Sequence, residues 1–161
     1  MTQPNDFDRA LKITLAFEGG NIDRKDDPGG RTSRGVTQNV YDAYCAAHGK
    51  PPHDVYAMTD AELHDIYYAQ YWVPVTAGRT WPLDAVLFDC AVQSGVGQAI
   101  RWLETAKTRV PDNDPKRMLR LAVEVLAQRQ ILFYWLAEHR GMGWALAGWM
   151  SRLNSLRHQI Q

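Results

Sequence analysis

Carboxyl groups in two unlike settings lie close together near the start of this 161-residue chain. Glu18 falls in the segment Phe17-Glu18-Gly19-Gly20, next to apolar residues, and Asp26 and Asp27 follow in a polar, glycine-rich stretch. Apolar surroundings favour the protonated form of a carboxyl group, whereas a polar loop leaves it ionised. Cleavage of a glycosidic bond requires one carboxyl group of each kind. The sequence therefore indicates acid–base chemistry, with Glu18 as the acid and an aspartate as its partner.

The stretch after Glu18 also carries hydroxyl groups that could hold a water molecule. Asp27 follows Glu18 by nine positions, and Thr32 and Ser33 come soon after it. A short loop could bring Asp27 across from Glu18 and leave a gap for a sugar and a water. Asp26 competes for this role, and a plain turn is the alternative for the aspartates, since Asp, Pro and Gly are typical of turns. An exposed glutamate in the last turn of a surface helix is likewise the alternative for Glu18.

Helical spacing of apolar residues predicts the element that carries Glu18. Phe7, Leu11 and Leu15 recur at a four-residue step, which indicates a helix that begins at about Asn5 or Asp6. Glu18 lies on or beside the same stripe. Because glycine readily adopts the left-handed conformation of a helix C-cap, the helix is predicted to end at the two glycines after Glu18.

The rest of the chain reads mostly as helix. The polar segment 21–36 predicts turns or a short hairpin. The capping-box pattern Thr59-Asp60-Ala61-Glu62 marks the start of one helix, and Pro74 is predicted to stop it. The helices predicted after the hairpin cover residues 37–47, 60–72, 83–93, 98–108, 115–139 and 144–158. The predicted fold class is mostly α, with a short loop or hairpin segment near residues 21–36.

Composition limits the kinds of protein this can be. Hydrophobic residues make up 45% of the chain and include six Trp, which is enough for a core. The length indicates one domain over residues 1–161, with a catalytic segment over about 1–80 and a packed helical lobe over about 81–161. A formal net charge of +0 argues against a nucleic-acid partner. From Lys116 onward there are seven basic and two acidic residues, which could hold an anionic polymer or form a solvated helix face.

Neither cysteine nor histidine predicts a metal site. Cys45 and Cys90 fall in apolar segments and are expected to be buried free thiols. The five His show no metal-ligand spacing, so no metal and no other cofactor are expected. The N-terminal residues lack the pattern of a signal peptide, and no apolar run is long enough to span a bilayer. We therefore expect synthesis in the cytoplasm, no membrane insertion, and release by another protein if the substrate lies outside.

Several aromatic and buried polar residues have two possible roles. Tyr71 and Trp72 could line a sugar cleft, because aromatic faces pack well against sugar rings, or could belong to the core. The aromatic residues of segments 133–135 and 144–149 are expected in the core, since they lie in long amphipathic helices. Asp89 lies inside an apolar helix, where a carboxylate needs a partner.

The order of several motifs resembles the glycoside hydrolase family 108 muramidases, lysozyme-like enzymes of bacteriophages, prophages and bacteria that include phage endolysins. The matching blocks are Glu18-Gly19-Gly20, Asp27-Pro28-Gly29-Gly30-Arg31-Thr32, Gly35-Val36-Thr37, Tyr71-Trp72-Val73-Pro74, Leu87 to Gly95, and Gly148 to Leu153. Together they extend over most of the chain. The second half of these proteins is described as a predicted peptidoglycan-binding region.

The resemblance implies the catalytic residues. It implies Glu18 as the catalytic acid, and the family signature places its threonine at Thr32. The spacing of Glu18, Asp27 and Ser33 is also similar to the Glu/Asp/Thr arrangement of phage lysozymes, where the Asp positions a water. The candidate catalytic residues are therefore Glu18, Asp27 and Thr32. The candidate substrate contacts are Asp26, Ser33, Tyr71, Trp72 and Gln93.

Three departures from the family pattern concern substrate contacts. Asn21 stands where an aromatic residue usually follows Glu-Gly-Gly, and Gln93 stands where Asn is usual. A glycine-containing segment before the long helix is reduced to residues 110–114. Both the wall of the sugar cleft and the polar contact at position 93 are therefore expected to differ from those of the family.

The activity that the resemblance implies is hydrolysis of the β-1,4 bond between N-acetylmuramic acid and N-acetylglucosamine in peptidoglycan, for bacterial lysis. Glu18 would protonate the leaving oxygen while Asp27 (or Asp26) orients water, so that inversion is favoured. The protein is expected to be a monomer, and a holin or a secretion system would release it. The alternatives are a lytic transglycosylase and a non-catalytic peptidoglycan-binding or phage structural module.

Overall fold

A computed structural model describes residues 4–23 and 31–160 and confirms the mostly α, lysozyme-like fold. The first half contains α1 (Pro4–Leu15), β1 (Asn21–Asp23), β2 (Arg31–Ser33), β3 (Val36–Thr37), α2 (Gln38–Ala47), a 3₁₀ turn (Val55–Ala57), α3 (Asp60–Tyr67), a π-helical turn (Tyr68–Trp72) and α4 (Val73–Thr76). The second half contains α5 (Leu83–Ser94), α6 (Val96–Lys107), α7 (Arg117–His139) and α8 (Gly143–Gln159). Among these residues no helix combines the length and the apolar character needed to cross a bilayer.

Helix α1 ends earlier than the sequence predicts. It stops at Leu15, so Glu18 lies in the turn that follows and not within the helix. The amide of Phe17 donates to the carbonyl of Thr14 at 3.1 Å, and the amide of Glu18 donates to that of Leu15 at 3.2 Å. These three-residue hydrogen bonds tighten the chain into a turn before the glycines are reached. The turn carries Glu18 away from the axis of α1.

Side-chain caps begin α2 and α3 where the sequence predicts them. The hydroxyl of Thr37 accepts from the amide of Val40 at the start of α2. Thr59 and Glu62 form the predicted capping box at the start of α3. Pro74, however, does not end the helical segment, because it lies in the first turn of α4, where a missing N–H costs little. The chain thus stays helical through the π-turn to Thr76.

The small sheet brings a sharp turn against Glu18. Its strand order is β1-β2-β3, both pairs are antiparallel, and Asn21 pairs with Ser33. Arg34 and Gly35 form the turn between β2 and β3 and have φ values of 49° and 82°. The Arg34 amide donates to the Gly20 carbonyl at 3.4 Å, and its guanidinium donates to Asp60 Oδ1 at 2.5 Å. These contacts fix the turn between the Glu18 segment and the start of α3.

Helix α5 lies at the centre of the molecule. Every residue from Leu83 to Ala91 is buried, as expected for a helix enclosed on all sides. It packs against α1, α4, α6 and α7. Phe88 joins the apolar cluster that contains residues of α2, α3 and the π-helical turn, and Leu87 joins the cluster formed with α6, α7 and α8. Helix α5 therefore contributes to both clusters.

The C-terminal aromatic residues are less buried than the sequence predicts. Phe133 is in the core and stacks on Trp149, with ring centroids 4.9 Å apart. Tyr134, Trp135 and Trp144 are exposed by 50%, 43% and 81%, so their expected place in the core is wrong. The reason is that α7 and α8 each bury one face, and these side chains lie off it. Cys45 and Cys90 are buried and unpaired, as predicted.

Candidate active site

Glu18 is held by an arginine from the last helix. Its side chain is 18% exposed, and Oε1 accepts a hydrogen bond from Nη1 of Arg152 at 2.8 Å. Arg152 lies on α8, and its guanidinium carbon is 5.6 Å from the centroid of the Phe17 ring. The carboxyl group of Glu18 is therefore oriented by a residue that is 134 positions away in the chain.

A buried ion-pair network lies behind Arg152. Asp89 on α5 is 1% exposed, and its oxygens accept from Nη2 of Arg152 at 2.8 Å and from Nη1 of Arg129 at 2.7 Å. The Thr14 hydroxyl donates to the same carboxylate at 3.0 Å. With Glu18 ionised, two carboxylates face two guanidinium groups, so the cluster is balanced in charge. Asp89 thus has the partners that a carboxylate inside an apolar helix needs.

Burial and charge act in opposite directions on this network. Burial alone would raise the pKa of Asp89, but Arg129 and Arg152 outweigh it and hold that pKa below its ordinary value. Burial would likewise lower the pKa of Arg152, whereas its bonds to Asp89 and Glu18 raise it. Asp89 is therefore a carboxylate and Arg152 a guanidinium across the physiological range.

The network also changes the interpretation of the basic C-terminal half. Arg129 and Arg152 are 0% and 6% exposed, so they belong to the interior. These two arginines are therefore part of neither a solvated helix face nor a surface that binds an anionic polymer. Part of the excess of basic residues in this half of the sequence is therefore explained by ion pairs with Asp89 and Glu18.

The other side of Glu18 is lined by the β2–β3 turn and two tyrosines. A Cβ atom at Gly35 would lie 3.1 Å from Glu18 Oε2 and 2.4 Å from the Tyr67 hydroxyl. That hydroxyl donates to the Arg34 carbonyl at 2.8 Å. Burial, followed by the nearby charge of Glu18, raises the pKa of both Tyr67 and Tyr71 above the ordinary value. Both phenols therefore remain protonated beside the carboxyl group.

This arrangement gives the two oxygens of Glu18 different tasks. Oε1 is engaged by Arg152, whereas Oε2 faces Gly35 on the side of the tyrosines. A carboxyl group fixed through one oxygen can present the other for proton transfer in a defined direction. The site can thus supply a positioned acid.

The structure brings only some of the predicted site residues close to Glu18. Tyr71 is partly exposed and near enough for the charge of Glu18 to act on its hydroxyl. Thr32 is partly exposed, whereas Ser33 is only 3% exposed. Of these two residues of β2, Thr32 is therefore the one that a substrate could reach. Asp26 and Asp27 lie outside the described residues.

Trp72 and Gln93 make internal contacts. Trp72 is 3% exposed, and its ring packs against Phe7 and Phe88 at centroid distances of 5.3 Å and 5.6 Å. It is a core residue, which was the alternative to a place in the sugar cleft. The amide oxygen of Gln93 accepts a hydrogen bond from Arg129, so this oxygen belongs to the network behind the site.

Arg152, Arg129, Tyr67 and Gly35 take part in the site without having been singled out from the sequence. A usable signal exists for the two arginines. Each stands on the apolar stripe of its helix, Arg129 between Leu126 and Phe133, where a charged residue needs a buried partner. Asp89 on α5 also needs a buried partner of opposite charge. Pairing the buried aspartate with the two buried arginines would have linked the three helices that carry them.

One cavity in the described part of the chain lies apart from the Glu18 cluster. A cavity of about 440 Å³ lies between α2 and α3, where Tyr44, His48 and Tyr68 line it, and it contains none of the residues around Glu18. Within residues 4–23 and 31–160, no group of three or more His, Cys, Asp or Glu side chains is placed to hold a metal ion.

Comparison with known proteins gives a fold and a family. The structure of SagA from Brucella abortus is similar to this chain with a TM-score of 0.64 and 24% identity, over 98% of this chain and 95% of that one. At this identity the likeness shows the fold alone. Curated protein sequences give no significant match. The family model described as glycosyl hydrolase 108 matches residues 11–95, just over half of the chain, and this range includes Glu18 and Asp89. The chain therefore belongs to the glycosyl hydrolase 108 family.

Proposed function

We propose that this protein is a muramidase that hydrolyses the β-1,4 bond between N-acetylmuramic acid and N-acetylglucosamine in peptidoglycan. The observation that carries the proposal is the carboxyl group of Glu18, which Arg152 holds through Oε1 while Oε2 faces Gly35. The family and the lysozyme-like fold support the same reaction class.

In the proposed reaction Glu18 acts as the general acid. Its proton passes to the glycosidic oxygen as the bond from that oxygen to the anomeric carbon breaks. Oε2 delivers the proton, because Oε1 accepts from Arg152. The carboxylate that remains is stabilised by the same guanidinium, which is already in place before the bond breaks.

The second half of the reaction is assigned to the segment after Glu18. We propose that Asp27 (or Asp26) orients a water on the opposite face of the sugar and takes its proton as the water oxygen bonds to the anomeric carbon. Thr32 adds a hydroxyl to hold this water. The product would then be inverted, which requires carboxyl groups about 6.5–9.5 Å apart rather than about 5–5.5 Å.

Tyr71 is the proposed wall of the sugar cleft. Its side chain is partly exposed, and its ring centroid lies 5.5 Å from that of Tyr67, beside Glu18. An aromatic face can pack against the apolar face of a sugar ring. Because peptidoglycan lies outside the cytoplasm, we also propose that a holin or a secretion system brings the enzyme to it for cell lysis.

The test is mass spectrometry of the fragments released from purified peptidoglycan, with Glu18→Gln run beside the wild type. Glutamine has nearly the same shape and can still accept from Arg152, so the variant is expected to fold but release nothing. Reducing muramic-acid ends from the wild type alone would support the muramidase. Anhydro ends would indicate a lytic transglycosylase, and binding without release would indicate a non-catalytic wall-binding module.

A further inference from the structure

The active-site carboxyl group depends on a part of the chain that the family model does not cover. The match ends at residue 95, whereas Arg129 and Arg152 lie on α7 and α8. We propose that Arg152 is a positioning residue for Glu18, so that α7 and α8 complete the active site instead of forming a separate wall-binding unit. This inference rests on the proposed function of Glu18.

The first step of the argument is that Arg152 cannot turn away. Nη2 lies 2.8 Å from Asp89 Oδ1, and Nε lies 3.1 Å and 3.2 Å from the two oxygens of the same carboxylate. This two-pronged contact fixes the plane of the guanidinium and leaves Nη1 directed at Glu18. The orientation of Arg152 is therefore set by Asp89 and not by Glu18.

The second step is that Asp89 is itself fixed. Arg129, which is 0% exposed, donates to its Oδ2, and the Thr14 hydroxyl donates to its Oδ1. These partners come from α7 and α1. Three helices thus determine where the guanidinium of Arg152 stands.

The third step is that Glu18 needs such support. It lies in a turn after the end of α1, where the helix no longer restrains it. Arg152 holds one oxygen, and the Gly35 backbone and the Tyr67 hydroxyl lie on the opposite side. A misplacement of about 1 Å can cost an enzyme about 10²-fold in rate, so a carboxyl group free to turn would be a poor acid.

A lysine at position 152 could not hold Asp89 and Glu18 at the same time as an arginine does. Its ammonium group is a compact charge without the planar fork that serves Asp89 and Glu18 together. Arg152→Lys is therefore expected to keep a charge near Asp89 while losing part of the hold on Glu18. Arg152→Gln removes the charge, but leaves Asp89 paired with Arg129 and Thr14, so the variant is expected to fold.

The experiment compares the wild type with Arg152→Gln, Arg152→Lys and the control Arg157→Gln. Arg157 lies on the same helix, and its guanidinium donates hydrogen bonds to Gln130 and Asn154. The release of reducing ends from peptidoglycan is measured against pH and substrate concentration, and kcat is expressed per folded molecule from circular dichroism. This normalisation separates a loss of fold from a loss of positioning.

For Arg152→Gln we expect kcat to fall about 10²-fold with little change in KM. Arg152→Lys should fall between this variant and the wild type, and Arg157→Gln should match the wild type. Unchanged kcat per folded molecule in both Arg152 variants would overturn the inference. A rise in KM alone would also overturn it, since Arg152 would then bind substrate without positioning the acid.

A second measurement does not depend on turnover. Unfolding free energies of Glu18→Ala, Arg152→Lys and the double variant form a cycle with the wild type, and we expect the two changes to be non-additive. Additive effects would overturn the contact itself, and the lysine variant keeps this test available if Arg152→Gln does not fold. If the wild type releases no fragments while the cycle is non-additive, the proposed function fails and the contact stands.

Discussion

Gly35 and Tyr67 approach each other so closely that no side chain fits at position 35. A Cβ atom there would lie 2.4 Å from the Tyr67 hydroxyl, in a backbone conformation with φ of 82°. The same atom would lie 3.1 Å from Glu18 Oε2. The turn between β2 and β3 therefore takes a shape that lets it pass close to the Glu18 carboxyl group and the buried Tyr67 phenol.

Gly35→Ala should therefore lower both stability and turnover. The left-handed conformation alone costs an alanine about 1–2 kcal/mol, and the methyl group must also displace the Tyr67 hydroxyl or Glu18. Chemical unfolding and kcat measure the two effects. In a Tyr67→Phe background the hydroxyl is absent, so the same substitution should cost less. An equal cost in both backgrounds would show that the Tyr67 hydroxyl does not contribute to it.

Glu18→Asp tests how far the position of the carboxyl group matters. Shortening the side chain by one carbon should break either the contact to Arg152 or the reach to the substrate, so kcat should fall by about 10²-fold or more. Because Glu18 is only partly buried, the fold should survive. Fragment release and circular dichroism on the same preparation check this expectation. Activity near the wild-type level would mean that the hold on Glu18 is not needed.

Asp89→Asn should weaken the whole molecule. Breaking a buried ion pair from one side leaves two guanidinium groups without their shared carboxylate, which costs about 3–5 kcal/mol. Thr14→Val, which removes one hydrogen bond to the same carboxylate, is the milder control at about 1 kcal/mol. Urea unfolding at neutral pH measures both.

The cost of Asp89→Asn should also depend on pH. Because the pKa of Asp89 is lower in the folded protein, its contribution to stability is fully present above the ordinary aspartate value of about 3.9. It is lost as the pH falls below that value towards the lower pKa of the folded state. The difference between wild type and variant should therefore shrink in acid. A difference that stays constant from neutral pH to about pH 3 would contradict the assignment.

Asp84 should have the opposite pH dependence. It is fully buried, Oδ1 accepts from the Ala85 amide, and Oδ2 has no hydrogen-bond partner in the part of the chain that the structure describes. Burial raises its pKa to about 6, so the folded protein holds the proton more tightly than the unfolded chain does. Stability should decline as the pH rises from about 4 to about 6, by up to about 3 kcal/mol.

Asp84→Asn removes this titration and should make the protein more stable than the wild type at pH 7.5, with little gain at pH 4. Asp6→Asn removes a neighbouring negative charge and should give a smaller change in the same direction. Thermal unfolding of the three proteins at the two pH values checks the expectation. An Asp84→Asn protein whose stability follows that of the wild type at both values would contradict it.

Local features of this fold are readable from the sequence, and long-range ones are not. The capping box at Thr59 and the cap at Thr37 depend on residues three positions apart, so their patterns are visible along the chain. The contact between Glu18 and Arg152 joins residues 134 positions apart through a third helix, and no local pattern encodes it. The end of α1 was missed because hydrogen bonds at Phe17 and Glu18, and not the following glycines, close the helix.

Exposure was also hard to predict for the C-terminal aromatic residues. Phe133 and Trp135 are two positions apart on α7, and only the first faces the core. Hydrophobic side chains tend to be buried, but only those on the face of the helix that packs against the core can be. Which face that is depends on how α7 meets α5 and α8.

The position of Asp89 on the central helix has a consequence for how the enzyme loses activity on heating. Because α5 belongs to both apolar clusters, neither half of the molecule can open without uncovering it. Its backbone amides should therefore be among the slowest to exchange with solvent, and only global unfolding should release them. The support of Glu18 rests on this same helix, so activity should persist up to the temperature at which the whole fold melts and then be lost in the same transition.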